Sequence, residues 1–299
     1  MLAIIRKELA DYFNSIRFII LLLLIIGVSA IAIYSAQQGI RGAGTQGFIF
    51  LRLFTTDPPW GNLMALLLNF LNFIALFFIP LMGIMLGFDA INRERSSGTL
   101  SRIMSQPIFR DGLIIGKFLA ALSTLTIMMT AAIFLVSGYG LRMIGVAPSA
   151  EEIIRLFIFL VAIIVYGAFW ISLSMLFSIV TRSLGTSLIA SIAVWMLLGV
   201  GLAITTSAMY QTSPAAADVL SWFSPGLIFS NGAAALLHPT VRTLGSIDSA
   251  TAYYMIANPL SLGQSLTLVW PYLTLMVSLS VICFGVSYVV FMRQEIRAT

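Results

Sequence analysis

Chemistry that depends on histidine or cysteine has one of each to work with in this 299-residue chain, His238 and Cys283. Zinc hydrolysis and Cys/His nucleophile pairs need several such side chains converging, and no disulfide can form within the chain. The fourteen methionines sit mostly in apolar stretches. They read as packing residues there, because a copper site needs converging sulfur or imidazole ligands. Gly112-Leu-Ile-Ile-Gly116-Lys117-Phe118 echoes a phosphate-binding loop. Its spacing is short, however, and Phe118 stands where a Ser or Thr must hold magnesium. The residues predict no catalytic, cofactor-binding or metal site in this chain.

Polar chemistry is instead concentrated between Asp89 and Asp111, where Glu94, Arg95, Arg102 and Arg110 lie close together in sequence. Ser96, Ser97 and Gly98 supply a turn and candidate N-caps. Leu100, Ile103 and Met104 follow at i, i+3 and i+4, which predicts a two-turn helix with one apolar face, ended by Pro107. Such a face, flanked by charges outside a membrane, is a docking element, or it lies flat on the inner leaflet. In residues 1–17, Leu2, Ile5, Leu9, Tyr12, Phe13 and Ile16 recur at helical spacing among Arg6, Lys7, Glu8, Asp11, Asn14 and Arg17. That pattern suits a helix in the headgroup plane. The plainer alternative is a juxtamembrane positive patch.

Composition fixes what must hold these segments. Hydrophobic residues make up 60% of the chain and charged ones 9%, with a mean hydropathy of +1.03, whereas soluble domains carry roughly 25% charged residues. Most of the surface must therefore face lipid. A spanning helix needs about 20 apolar residues, and six stretches qualify: 18–36, 63–88 (which contains Pro80), 113–139, 153–180, 186–206 and 268–291. The first follows a long segment carrying Glu8 and Asp11, unlike a cleaved signal peptide. The Lys/Arg excess predicts that both termini face the cytosol, and it accounts for the net charge of +5 without invoking nucleic acid. Residues 207–267 then form an outer segment, too long for a structureless connector. Its apolar patches predict short helices resting on or dipping into the outer leaflet.

No span carries a charge near its midpoint, which argues against ion-coupled pumping. Lys117 and Arg155 lie near span ends and read as snorkelling side chains. Asn69 and Asn72, three apart on one helical face, either line a substrate path or bond to a neighbouring helix. Gly83-x-x-x-Gly87, and Gly199 with Gly201, permit close helix contact. Cys283 is a lone thiol within span six.

The run Glu94-Arg95-x-x-Gly98-Thr99-Leu100, then Pro107, Arg110 and Gly116-Lys117, resembles the signature of ABC type-2 exporter permeases. The likeness is narrower to the branch that includes the permease of nitrous-oxide-reductase maturation. The opening Arg6-Lys7-Glu8-Leu9, the six spans and the large outer segment extend it over the whole chain. The resemblance implies an all-α membrane domain, with residues 1–17 as the connecting helix and 89–111 as the coupling loop. Residues 98–106 would be the coupling helix, seated in a cleft of a separate ATPase subunit that binds ATP and Mg. Two permease copies or paralogues and two ATPase subunits would make the working unit in the cell membrane, with no catalysis by this chain. The chain departs from many relatives at Asn92, where they carry an acidic residue. The alternative function is a membrane assembly or signalling protein of the same fold that carries no substrate.

Overall fold

The computed structural model describes residues 2–42, 48, 50–55, 70–99, 109–145, 147–210, 212–238 and 260–294. Every regular element among them is helical. A 12-residue helix, Leu2–Phe13, ends at Asn14 and Ser15. Six helical stretches are long and apolar enough to cross a membrane: Ile16–Tyr34, Phe70–Ser96, Arg110–Met143, Ala150–Val180, Leu184–Tyr210 and Leu262–Arg293. They are spans one to six below.

Local sequence sets where several spans begin. Ser149 accepts the backbone N–H of Glu152 while the Glu152 carboxylate accepts that of Ser149, a reciprocal cap that starts span four. Ser261 and Gln264 repeat the device at span six, and Ser183 caps span five. Each cap satisfies N–H groups that the first helical turn leaves open.

Spans two and four form the centre. In their most apolar stretches 72% and 61% of residues are buried, against 17% and 22% in spans five and six, which lie outside them. The close approach of two to four is made at the glycines. A Cβ on Gly83 would sit 2.5 Å from the Cβ of Trp170, and one on Gly87 would collide with Ser174. Ser174 in turn lies 3.3 Å from the Gly83 and Ile84 carbonyls. The glycine pair is therefore the packing seam of these two spans.

Pro80 breaks the backbone ladder of span two, and the break is absorbed by a π-helical turn at Ile74–Phe78. Pro80 has no N–H to give, and the N–H of Ile79 goes back to Ile74, so the Ala75 and Leu76 carbonyls lose their helical donors. Side chains replace them. The Tyr166 hydroxyl donates to Ala75 O at 2.7 Å and Trp195 Nε1 to Leu76 O at 2.8 Å. A buried carbonyl without a partner costs about 1–3 kcal/mol, so spans four and five are tied to the kink.

Two short helices of the expected outer segment are among the described residues. Helices Pro214–Ser221 and Pro225–Leu237 meet at 99°. The first exposes Val219, and Trp222 and Phe223 just beyond it are also exposed. The second is buried among the spans through Ile228, Phe229, Ala233 and Leu236, with Phe229 stacked on Tyr166 at 4.6 Å. Its carbonyl end is held by Arg155, which is fully buried rather than snorkelling. Arg155 donates to Leu236 O, Leu260 O, Ser265 Oγ and Glu151 Oε1, so all five guanidinium N–H groups are used.

Candidate functional site

Of the residues singled out by the sequence pattern, Lys7, Glu8, Glu94, Arg95 and Arg110 gather at the end of the bundle where helix Leu2–Phe13 lies. Span two leaves the apolar core at Phe88 and ends in a five-residue helix, Asn92–Ser96. That helix has no cap of its own. Its open N–H groups at Ile91 and Asn92 are accepted by Ser178 Oγ of span four, at 3.0 and 3.1 Å. Asn92 is almost wholly buried and donates to Thr181 Oγ1 and Ser183 O. An amide serves here because the groups it meets are acceptors, which a carboxylate would repel. Asn92 thereby fixes the end of span two to the end of span four.

Two residues further, about half a turn, Glu94 points the other way. Its Oε1 lies 2.9 Å from Lys117 Nζ of span three, and the same ammonium lies 2.9 Å from Glu8 Oε1. Lys7 adds a second cation at 3.2 Å from Glu8 and 3.9 Å from Glu94. The three motif fragments that sequence places far apart, around Lys7-Glu8, Glu94 and Lys117, are thus one ion network, buried at Glu8, Glu94 and Lys117 and exposed at Lys7. This corrects the reading of Lys117 as snorkelling: its side chain is only 3% exposed, and it is the cation two carboxylates share. Burial alone would raise the Glu8 pKa, but Lys117 and Lys7 hold it below the usual carboxylate value. Burial would likewise lower Lys7, yet Glu8, Glu94 and Asp11 raise it above its ordinary value.

Helix Leu2–Phe13 is docked through this polar edge. Glu8 and Tyr12 stand one turn apart. The Tyr12 hydroxyl donates to Leu86 O at 2.8 Å, and burial pushes its pKa up. Arg17 pairs with Asp89 at 2.7 Å and lies over the Phe88 ring. The adjoining apolar residues Leu2, Phe13 and Ile16 are exposed. Amphipathic spacing was visible in sequence; that the charged edge faces the protein was not, because only the partner positions Glu94 and Lys117 reveal it.

Both flanks of residues 100–108 are also pinned to the end of span six. Arg95 Nη2 donates to Gln294 Oε1 at 2.7 Å, and Arg110 Nη1 donates to Gln294 O at 3.1 Å. Arg95 further donates to Thr181 O at 3.0 Å. Gln294 Nε2 reaches Ile179 O. Gly98 adopts φ +68°, a left-handed turn that a side chain would strain, and Thr99 Oγ1 lies 3.3 Å from Glu94 O. Gln294 and Ser178 were not singled out by sequence, since neither belongs to a local pattern.

Leu100, Arg102, Ile103, Met104, Pro107 and Asn69 lie outside the described residues. Asn72 is half-buried on helix Phe70–Phe73. Arg6 is exposed and Leu9 half-buried.

The whole arrangement has likenesses among known proteins. Residues 2–296 match the family described as ABC-2 family transporter protein. The chain is 28% identical over 271 residues to a probable ABC transporter permease protein, NosY, of Pseudomonas aeruginosa, covering 89% of this chain and 80% of the relative. It is 32% identical over 115 residues to the protein of that name from Stutzerimonas stutzeri, covering 38% of this chain and 36% of that one. With six apolar spans and a family match over almost its whole length, this multi-pass membrane protein belongs to the ABC-2 transporter family and is an ABC transporter permease.

Proposed function

We propose that the chain is the permease subunit of an ATP-driven exporter in the cell membrane, with the helix Leu2–Phe13 end of the bundle in the cytosol. Residues 98–106 engage a separate ATPase subunit, which binds ATP and Mg, and a second permease copy or paralogue completes the transport unit. The observation that supports this most is the pinning of Arg95 and Arg110, on either side of residues 100–108, to Gln294. With Glu94 bonded to Lys117 and Asn92 to span four, a displacement of that segment moves the ends of spans two, three, four and six together. An element with several rigid ties transmits such a push; one loosely tethered absorbs it.

The test is co-purification of the tagged chain with its ATPase partner in mild detergent. Leu100→Asp or Ile103→Asp abolishes that association while the permease still inserts. Unchanged co-purification with either variant removes the segment from the docking role. If no ATPase accompanies the intact chain under several gentle conditions, the exporter reading gives way to a non-transporting assembly protein.

A further inference from the structure

Two π-helical turns occur among the described residues, Ile74–Phe78 in span two and Met196–Gly201 in span five. Such a turn holds one residue more than the α-helix around it, with hydrogen bonds that reach back five residues. The Leu202 N–H accordingly reaches Leu197 O. Pro80 imposes the first turn, but the second contains no proline, so no missing N–H demands it. The two turns touch. Trp195, just before the second, donates its indole N–H to Leu76 O inside the first. Its ring meets that of Phe77 at 77°, with centroids 6.0 Å apart. Gly199 makes room for the indole: a Cβ there would stand 3.0 Å from Trp195 Cδ1.

Closing the second turn into an α-helix shifts everything beyond it by one residue, a rotation of about 100° and a rise of about 1.5 Å. Thr205 then takes the place of Thr206, so the same side chain fits that place in either register. The present register leaves a polar atom unmet there. Thr206 is 2% exposed, and its hydroxyl has no hydrogen-bond partner among the described residues. Exposed Thr205 instead donates to Gly201 O at 2.8 Å, a bond within one helical turn that it carries along into the buried place. Little packing resists the rotation, because span five is among the least buried spans. The shift also moves Leu198 towards the place of Gly199, where a side chain and the Trp195 indole compete for the same space. The indole on Leu76 O and the shifted register therefore exclude each other.

We propose that span five is a two-register switch: the Trp195–Leu76 bond holds the present register, and its release closes Met196–Gly201 into an α-helix and turns helix Leu202–Tyr210 by one residue. That helix packs against helix Pro214–Ser221, and the Tyr210 hydroxyl donates to Asp218 at 3.1 Å. A movement of span two at its Pro80 kink is thereby passed to the helix pair that follows span five. The switch belongs to this chain alone and is independent of the coupling role assigned to residues 98–106.

The test is thiol reactivity of the full chain, purified in mild detergent, in a Cys283→Ser background that leaves no other cysteine. Thr205→Cys or Thr206→Cys is added singly, and modification by a small maleimide is timed with and without Trp195→Phe. With Trp195 in place, position 205 reacts fast and position 206 slowly. Trp195→Phe raises the rate at 206 about tenfold, the loss of one buried hydrogen bond, and lowers the rate at 205. This reciprocal exchange marks a change of register. A rise at both positions marks local loosening and overturns the proposal, as do unchanged rates. Where Trp195→Phe does not fold, Gly199→Ala pushes the indole off Leu76 O and gives the same exchange. Deleting Leu198 removes the extra residue while both flanks keep their present register, so Trp195→Phe then leaves position 206 protected. Exposure of 206 despite the deletion overturns the proposal too.

Discussion

Lys117 and Glu94 lie 2.9 Å apart on opposite flanks of residues 100–108, with Glu8 completing the network at the same distance from Lys117. All three side chains are at least nine-tenths buried, so the attraction is little screened and the desolvation of each charge is large. Removing the shared cation is therefore worse than removing the whole network. Lys117→Met is expected to destabilise the protein by about 3–5 kcal/mol, the usual cost of an orphaned buried charge. Adding Glu8→Gln and Glu94→Gln to it recovers much of the loss. Thermal unfolding of the purified single and triple variants checks this: a triple variant less stable than Lys117→Met contradicts it.

The same network has a defined pH window. Glu8 titrates below its ordinary value of 4.5, so its contribution to docking helix Leu2–Phe13 is complete above that value and is lost as pH falls through the folded pKa. Lys7 is raised above 10.5, so its share is complete below that value and fades only in strong alkali. Docking is expected to be flat from about pH 5 to 9 and to loosen on the acid side. A spin label at exposed Ala3, in a Cys283→Ser background, reports it as mobility that rises only below about pH 4.5. Glu8→Gln removes the acid step. A rise between about pH 7 and 5 points to another titrating group.

How far the sequence was legible follows from what each feature depends on. Six spans could be read because crossing lipid demands long apolar runs, a property of each segment alone. The amphipathic spacing of residues 2–13 was legible for the same reason. The environment of Lys117 was not: near a span end, an isolated lysine reads as snorkelling until Glu8 and Glu94 arrive from other segments. Arg155 misled in the same way, because its acceptors are carbonyls at Leu236 and Leu260, and carbonyls carry no sequence signal. The chain's departure at Asn92 becomes intelligible only beside Thr181 and Ser183.

The kink at Pro80 offers a test of why Trp195 is placed where it is. Its indole N–H reaches the Leu76 carbonyl that Pro80 cannot serve. Trp195→Phe is expected to cost about 1–3 kcal/mol, most of it from the unmet carbonyl. In a Pro80→Ala background the new N–H can return to Leu76, and the cost of Trp195→Phe falls. A double-mutant cycle by denaturant unfolding measures the difference as a coupling of about 1 kcal/mol. Strictly additive effects break the link between the proline and the tryptophan.

Arg155 presents the sharpest contrast between charge and shape. Its fully buried guanidinium spreads five donors over Glu151, Leu236, Leu260 and Ser265, joining span four to the carbonyl end of helix Pro225–Leu237 and the start of span six. Lysine keeps the charge but has three donors from a single point, without the planar fork. Arg155→Lys therefore loses at least two of these five hydrogen bonds and is expected to cost about 2–4 kcal/mol. Arg155→Met removes the donors altogether and leaves the Glu151 carboxylate, which is 37% exposed, to water. If charge were what matters, lysine would restore most of the stability and methionine none. If the fork matters, lysine falls much closer to methionine than to arginine. Hydrogen exchange of residues 225–237 reads the outcome locally, since that helix loses its anchor first in both variants.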